Sequence, residues 1–146
     1  MQMSKSLAKA LLTQLRGSFG SGELALYAGA VPADADAALA GATLLASFLS
    51  QGNATIVLGA PTDNTIAMAA NDVWKCLNPV ASGTATFFRF KVYQYDTGGA
   101  QDSEGFVRVQ GTVGKSGTDL LMADPVIVAG TAREIKYFSF TLPLKN

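Results

Sequence analysis

From residue 23 onward, apolar side chains recur with a period of two in a series of short runs, and that period predicts β-strands. Leu24 and Leu26 share a face in residues 23–27, and further short candidates lie at 43–49, 54–58 and 65–68. The longest run is 84–94: Phe88, Phe90 and Val92 fall on one face, and Phe87, Arg89, Lys91 and Tyr93 on the other. Residues 106–113 set Val107, Val109 and Val113 against Arg108, Gln110 and Thr112. Candidates at 119–122, 126–128 and 134–144 complete the set, the last aligning Phe138, Phe140, Leu142 and Leu144 opposite Ser139 and Thr141. Turn residues separate the runs: Gln51-Gly52-Asn53, Gly98-Gly99, and a hairpin turn over 114–119. Short strands at this spacing predict a mainly β chain, an antiparallel, jelly-roll-like β-sandwich. Its expected core is Leu24, Leu26, Phe88, Phe90, Val107, Val109, Phe138 and Phe140.

The period differs at the start of the chain. Leu7, Leu11, Leu12 and Leu15 form one narrow apolar stripe, which predicts a short amphipathic helix over residues 4–16. Ser4 or Ser6 caps its start and Gly17 its end, with Lys5, Lys9 and Arg16 on the far side. An isolated helix of this length needs a surface to pack on. The glycine-rich residues 17–22 read as a hinge, so the expected surface is a neighbouring subunit. The expected division is an arm and hinge over 1–22 and a sandwich over 23–146, with 31–42 a loop rich in alanine.

Composition sharpens the picture. Charged residues are only 15% of the chain and hydrophobic ones 49%, against about 25% and about 45–50% in an average domain. So few charges predict neutral and apolar surface that a partner covers. Lys plus Arg equals Asp plus Glu at 11 each, with no basic cluster, which argues against nucleic acid as a partner. No run approaches the length of a membrane span and no secretory signal is present, so a soluble, cytoplasmically made protein is expected. The single cysteine, Cys76, excludes an internal disulfide and reads as a small buried residue.

Histidine is absent, which removes the histidine-based nucleophile systems and most catalytic zinc sites. The acids Asp34, Asp36, Asp63, Asp72, Asp119 and Asp124 sit in loops, where carboxylates usually bond their own backbone. Asp96, Asp102 and Glu104 flank a Gly-Gly tip, but without calcium-loop spacing. Gly111 to Gly117 departs from the phosphate-loop pattern by two residues. The aromatics Phe87, Phe88, Phe90, Tyr93 and Tyr95 beside Arg89 and Lys91 read as sandwich core before they read as a base-stacking platform. No enzyme, cofactor or metal site is expected.

Two stretches carry a resemblance. Residues 23–45 hold Tyr27-Ala28-Gly29, then Pro32 and Asp36, then Gly41 and Leu44; residues 108–143 hold Gly111-Thr112-Val113-Gly114, Gly117-Thr118-Asp119, Val128-Ala129-Gly130 and Phe138 to Pro143. Between them lie Trp74 and Phe87-Phe88-Arg89-Phe90. Together these resemble small virion structural proteins of tailed bacteriophages. The resemblance implies a capsid decoration or cement protein, located in the virion after assembly in the host cytoplasm. Its implied partners are itself, as a dimer or trimer, and the major capsid protein or other virion proteins. A tail-fibre, collar or connector component stays open, including a receptor- or glycan-binding module using Trp74, Tyr95, Asp96, Asp102 and Asn71. The expected contact residues are Leu7, Leu11, Leu12, Leu15, Trp74 and Tyr95.

Overall fold

In the computed structural model, Ser4 opens helix α1 (Lys5–Ser18) by accepting a hydrogen bond from Leu7 N at 3.1 Å. The structure describes residues 2–93, 96 and 106–144. Gly17 lies inside the helix and Phe19 caps it, its N–H bonded to Leu15 O. The strands are β1 (Gly22–Ala28), β2 (Thr43–Ser50), β3 (Thr65–Ala67), β4 (Trp74–Cys76), β5 (Gly83–Thr84) and β6 (Phe87–Val92). They continue as β7 (Arg108–Gly114), β8 (Leu120–Leu121), β9 (Val126–Ile127), β10 (Arg133–Ile135) and β11 (Ser139–Thr141). The fold is mainly β with one short helix.

Seven strands form a curled sheet in the order β10-β4-β2-β1-β6-β7-β8, and two-stranded ladders join β11 to β3 and β5 to β9. β1 lies at the centre, antiparallel to β2 and to β6, with Leu24 opposite Phe90 and Leu26 opposite Phe88. The turn from β2 has positive φ at Gln51 and Gly52 and an Asn53 N to Ser50 O bond, the geometry whose twist matches a hairpin.

Wholly antiparallel pairing does not hold, because β8 runs parallel to β7 with Val113 opposite Leu120. Residues 115–119 are therefore a full chain loop and not a hairpin turn. Asp119 makes it possible: its Oδ2 accepts from both Thr112 N and Thr112 Oγ1, taking backbone that a hairpin partner would have used. The expected strand at 134–144 divides into β10 and β11, which belong to different sheets. The expected strand at 54–58 makes only isolated bridges, Gly22 to Ile56, Ser50 to Ala54 and Leu58 to Met68.

One face of the main sheet carries the core. Leu24, Leu26, Phe48, Phe88 and Phe90 are buried there with Ile56, Leu58, Ile66, Trp74 and Phe138. Trp74 stacks on Phe90 at 5.7 Å between centroids and tilts against Phe138 at 5.1 Å. Val109 and Phe140, expected to be buried, are only half-buried at the edge of this cluster. Val107 is exposed, because it precedes the first paired residue of β7.

The helix is not an arm reaching to a neighbour. Ala8, Leu12 and Phe19 are buried, and Leu12 and Phe19 belong to the main core. Arg16 Nε donates to Leu58 O at 2.7 Å, and Met3 N donates to Leu144 O at 2.9 Å. Nor are residues 17–22 a hinge: Phe19 meets Phe90 edge-on and Gly22 is the first residue of β1. A Cβ at Gly22 would lie 2.6 Å from Phe90 Cζ, so this glycine serves close packing rather than freedom.

Candidate functional site

The second face of the main sheet is covered by the loop of residues 29–42, and polar side chains lie buried beneath it. β1 places Glu23, Ala25 and Tyr27 on this face, β6 places Phe87, Arg89 and Lys91, and β7 places Arg108 and Gln110. Tyr27 and Phe87 stack at 5.0 Å, with Leu39 and Ala42 of the loop packed against them. Arg89 lies against the smallest available neighbour, Ala25, and is wholly buried.

Side chains of the sheet hold the loop by its carbonyl groups. Arg89 Nη2 donates to Ala37 O at 2.5 Å and to Asp34 O at 3.4 Å. Arg108 Nη1 donates to Ala35 O at 3.3 Å, and Gln110 Nε2 to Pro32 O at 3.0 Å. The Asp34 carboxylate turns back onto the N–H groups of Asp36 and Ala37, shaping the loop locally as expected of a loop acid.

Asp96 departs from the loop-acid pattern. It is buried and takes Arg108 through both oxygens, Nε to Oδ2 at 2.5 Å and Nη2 to Oδ1 at 2.6 Å. Its backbone oxygen accepts from Lys91 Nζ at 2.6 Å, and that ammonium sits 3.8 Å from Glu23 Oε2. The Asp96 hydrogen bond raises the Arg108 pKa above its ordinary value, whereas burial and then neighbouring Arg108 lower that of Arg89. Burial, reinforced by Glu23, pushes the Tyr27 phenol up to about 12. Arg89 Nη1 is buried and has no hydrogen-bond partner among the described residues.

The outer surface supplies a second candidate. The segments following β4 and β9 bond to each other through Gly130 N to Pro79 O and Ala129 N to Ser82 Oγ, both at 2.9 Å. They carry Leu77, Val80 and Val128, and β9 itself carries Val126, all exposed, with Val80 67% accessible. Nearby in sequence, β8 and β10, the two ends of the main sheet, line one groove of about 710 Å³. Leu121 and Tyr137 stand in its lining, 64% and 70% accessible.

The expected contact residues divide. Leu7 and Leu11 are exposed, Leu15 is half-buried, and Leu12 is buried in the chain's own core. Trp74 is also wholly buried, its indole N–H donating to Asp72 Oδ2 at 3.2 Å, so its ring is not offered to a partner or a glycan. Tyr95 lies outside the described residues, as do Asp102 and Glu104 of the glycine tip. Among the described residues no three His, Cys, Asp or Glu side chains gather as a metal site would require, and no helix is long and apolar enough to cross a membrane. The buried network escaped notice in the sequence, although Glu23, Arg89 and Lys91 interrupting apolar strands was a signal for it. No protein-family model, curated protein or solved structure matches this chain.

Proposed function

We propose that this chain is a non-enzymatic structural protein of a tailed-phage particle, a capsid decoration or cement subunit that works by apolar contact. One observation carries the reading: Leu77, Val80, Val126 and Val128 stand exposed on two mutually bonded segments of a chain with few charges. Burying such surface yields about 25 cal/mol per Å², and a standard interface removes about 800 Å² from each partner. Repeated over a symmetric shell, modest contacts of this kind add up to a firm one. The partners in this reading are further copies of the chain, as dimers or trimers, and the major capsid protein. Neither nucleic acid nor membrane is among them, and the place of action is the virion.

The same proposal takes the fold as a jelly-roll-like sandwich, with the short β3–β11 and β5–β9 ladders backing the main sheet. The 29–42 loop, bonded to the sheet through four of its carbonyl groups, supports it, since a subunit repeated over a lattice must present the same shape at every seam. The fibre or collar alternative loses its principal stacking ring with the burial of Trp74. Quantitative mass spectrometry of purified particles tests the proposal. On the order of hundreds of copies is expected of a shell component, a few to a few tens of a fibre or collar. Absence from the particle would sink both.

A further inference from the structure

Positive charge exceeds negative charge beneath the 29–42 loop. Arg89, Lys91 and Arg108 face Glu23 and Asp96, three cations against two carboxylates among the described residues. Both oxygens of Asp96 are taken by Arg108, and Glu23 lies beside Lys91. Asp34 and Asp36 belong to the exposed rim of the loop. Among the described residues Arg89 is the cation with no carboxylate in an ion pair, and its side chain, like that of Arg108, is wholly removed from solvent.

Its donors identify where the missing charge belongs. Nε is used by Gln110 Oε1 at 2.9 Å and Nη2 by the carbonyl groups of Ala37 and Asp34. Nη1 alone points at no acceptor among the described residues. The Asp96 and Asp34 carboxylates attract Arg89 only from beyond hydrogen-bond distance, and burial still lowers its pKa. A buried guanidinium with no carboxylate bonded to it is unfavourable, and a buried donor left unmade costs its full desolvation.

We propose that Arg89 Nη1 marks a binding site for one small monovalent inorganic anion of the halide class, held beneath the 29–42 loop. A single negative charge balances the buried side chains described and gives Nη1 its acceptor. Size follows from the closure above it: the carbonyl groups of Pro32, Asp34, Ala35 and Ala37 are bonded down onto the sheet, so a peptide carboxylate or an oxyanion would have to break those bonds to enter. The ion is thus a structural ligand that locks the loop's shape. This inference is independent of the phage reading.

Two measurements on the full-length chain test it. In thermal unfolding at constant ionic strength, replacing the bulky anion gluconate by chloride should raise Tm by about 4 °C for each tenfold of chloride above its Kd. Arg89→Met should abolish that dependence. Crystals of the wild-type chain grown in bromide should show an anomalous peak within hydrogen-bond reach of Arg89 Nη1, which holds even where the variant fails to fold. Superimposable unfolding in chloride and gluconate would overturn the proposal. So would bromide found only at exposed lysines, or a carboxylate of the chain itself seated at Nη1.

Discussion

Phe19 meets Phe90 edge-on with 4.7 Å between ring centroids, and this contact fastens the end of the helix to the central strands. Helix and sheet therefore share one core. Phe19→Ala should cost about 3–5 kcal/mol and Leu12→Ala about 2–5 kcal/mol in urea unfolding. Removing residues 1–16 should unfold the domain or leave it expanded and dye-binding. A truncated chain with wild-type stability would return the helix to the role of a detachable arm.

Glycines should respond with opposite signs according to what lies beside them. A Cβ on Gly22 meets Phe90 at 2.6 Å, and one on Gly111 meets Phe88 at 2.7 Å and Asp119 Cβ at 2.9 Å. Gly22→Ala and Gly111→Ala should each destabilise by about 1–3 kcal/mol. Gly17 lies in the helix with nothing within 4 Å, so Gly17→Ala should stabilise by up to about 1 kcal/mol. Three chemical denaturation curves decide the matter.

How much of this was legible beforehand depends on the range of the interaction. Alternation along β6 names Phe88 and Phe90 as core because that property is local to one strand. The burial of Arg89 on the opposite face is not local: it depends on residues 29–42 folding back over β1, β6 and β7. Alanines in that loop carry no period that would announce the cover. Trp74 misleads for a similar reason, since Asn71 and Asp72 make its surroundings look like surface while Asp72 is in fact the acceptor of the indole N–H. The parallel placement of β8 turns on Asp119 reaching back to Thr112, and turn composition alone fits a hairpin equally well.

The Asp96–Arg108 pair is buried and bidentate, so losing one member leaves the other charged and unpaired. Asp96→Asn should cost about 3–5 kcal/mol, whereas Asp96→Asn combined with Arg108→Met should cost less than that single change. Equal or additive losses in a double-mutant cycle would show that the pair acts through packing and not charge.

Tyr27 supplies a pH window. Its phenol ionises near 12 in the fold and near 10 in the unfolded chain, because burial, and then Glu23, oppose the phenolate. The stabilisation is therefore complete below about pH 10 and is lost as pH rises through 12, the loss approaching about 2–3 kcal/mol. Ultraviolet titration should show one late-ionising tyrosine that disappears in Tyr27→Phe, and the variant's stability should fall less steeply over that range.

The outer apolar side chains separate assembly from folding. Val80 and Val128 are exposed, and neither belongs to the buried core, so charge placed there should leave the fold intact. Val80→Asp and Val128→Asp should change unfolding free energy by less than about 0.5 kcal/mol. If this surface packs against another copy or a shell protein, each carboxylate must be desolvated unpaired at the contact. Association should then weaken at least tenfold, the equivalent of about 1.4 kcal/mol. Sedimentation velocity and binding to particles lacking the protein measure that loss, with Leu7→Asp on the exposed helix face as the comparison. Wild-type association in Val80→Asp and Val128→Asp, with loss in Leu7→Asp, would move the contact from the 77–84 and 126–133 segments to the helix.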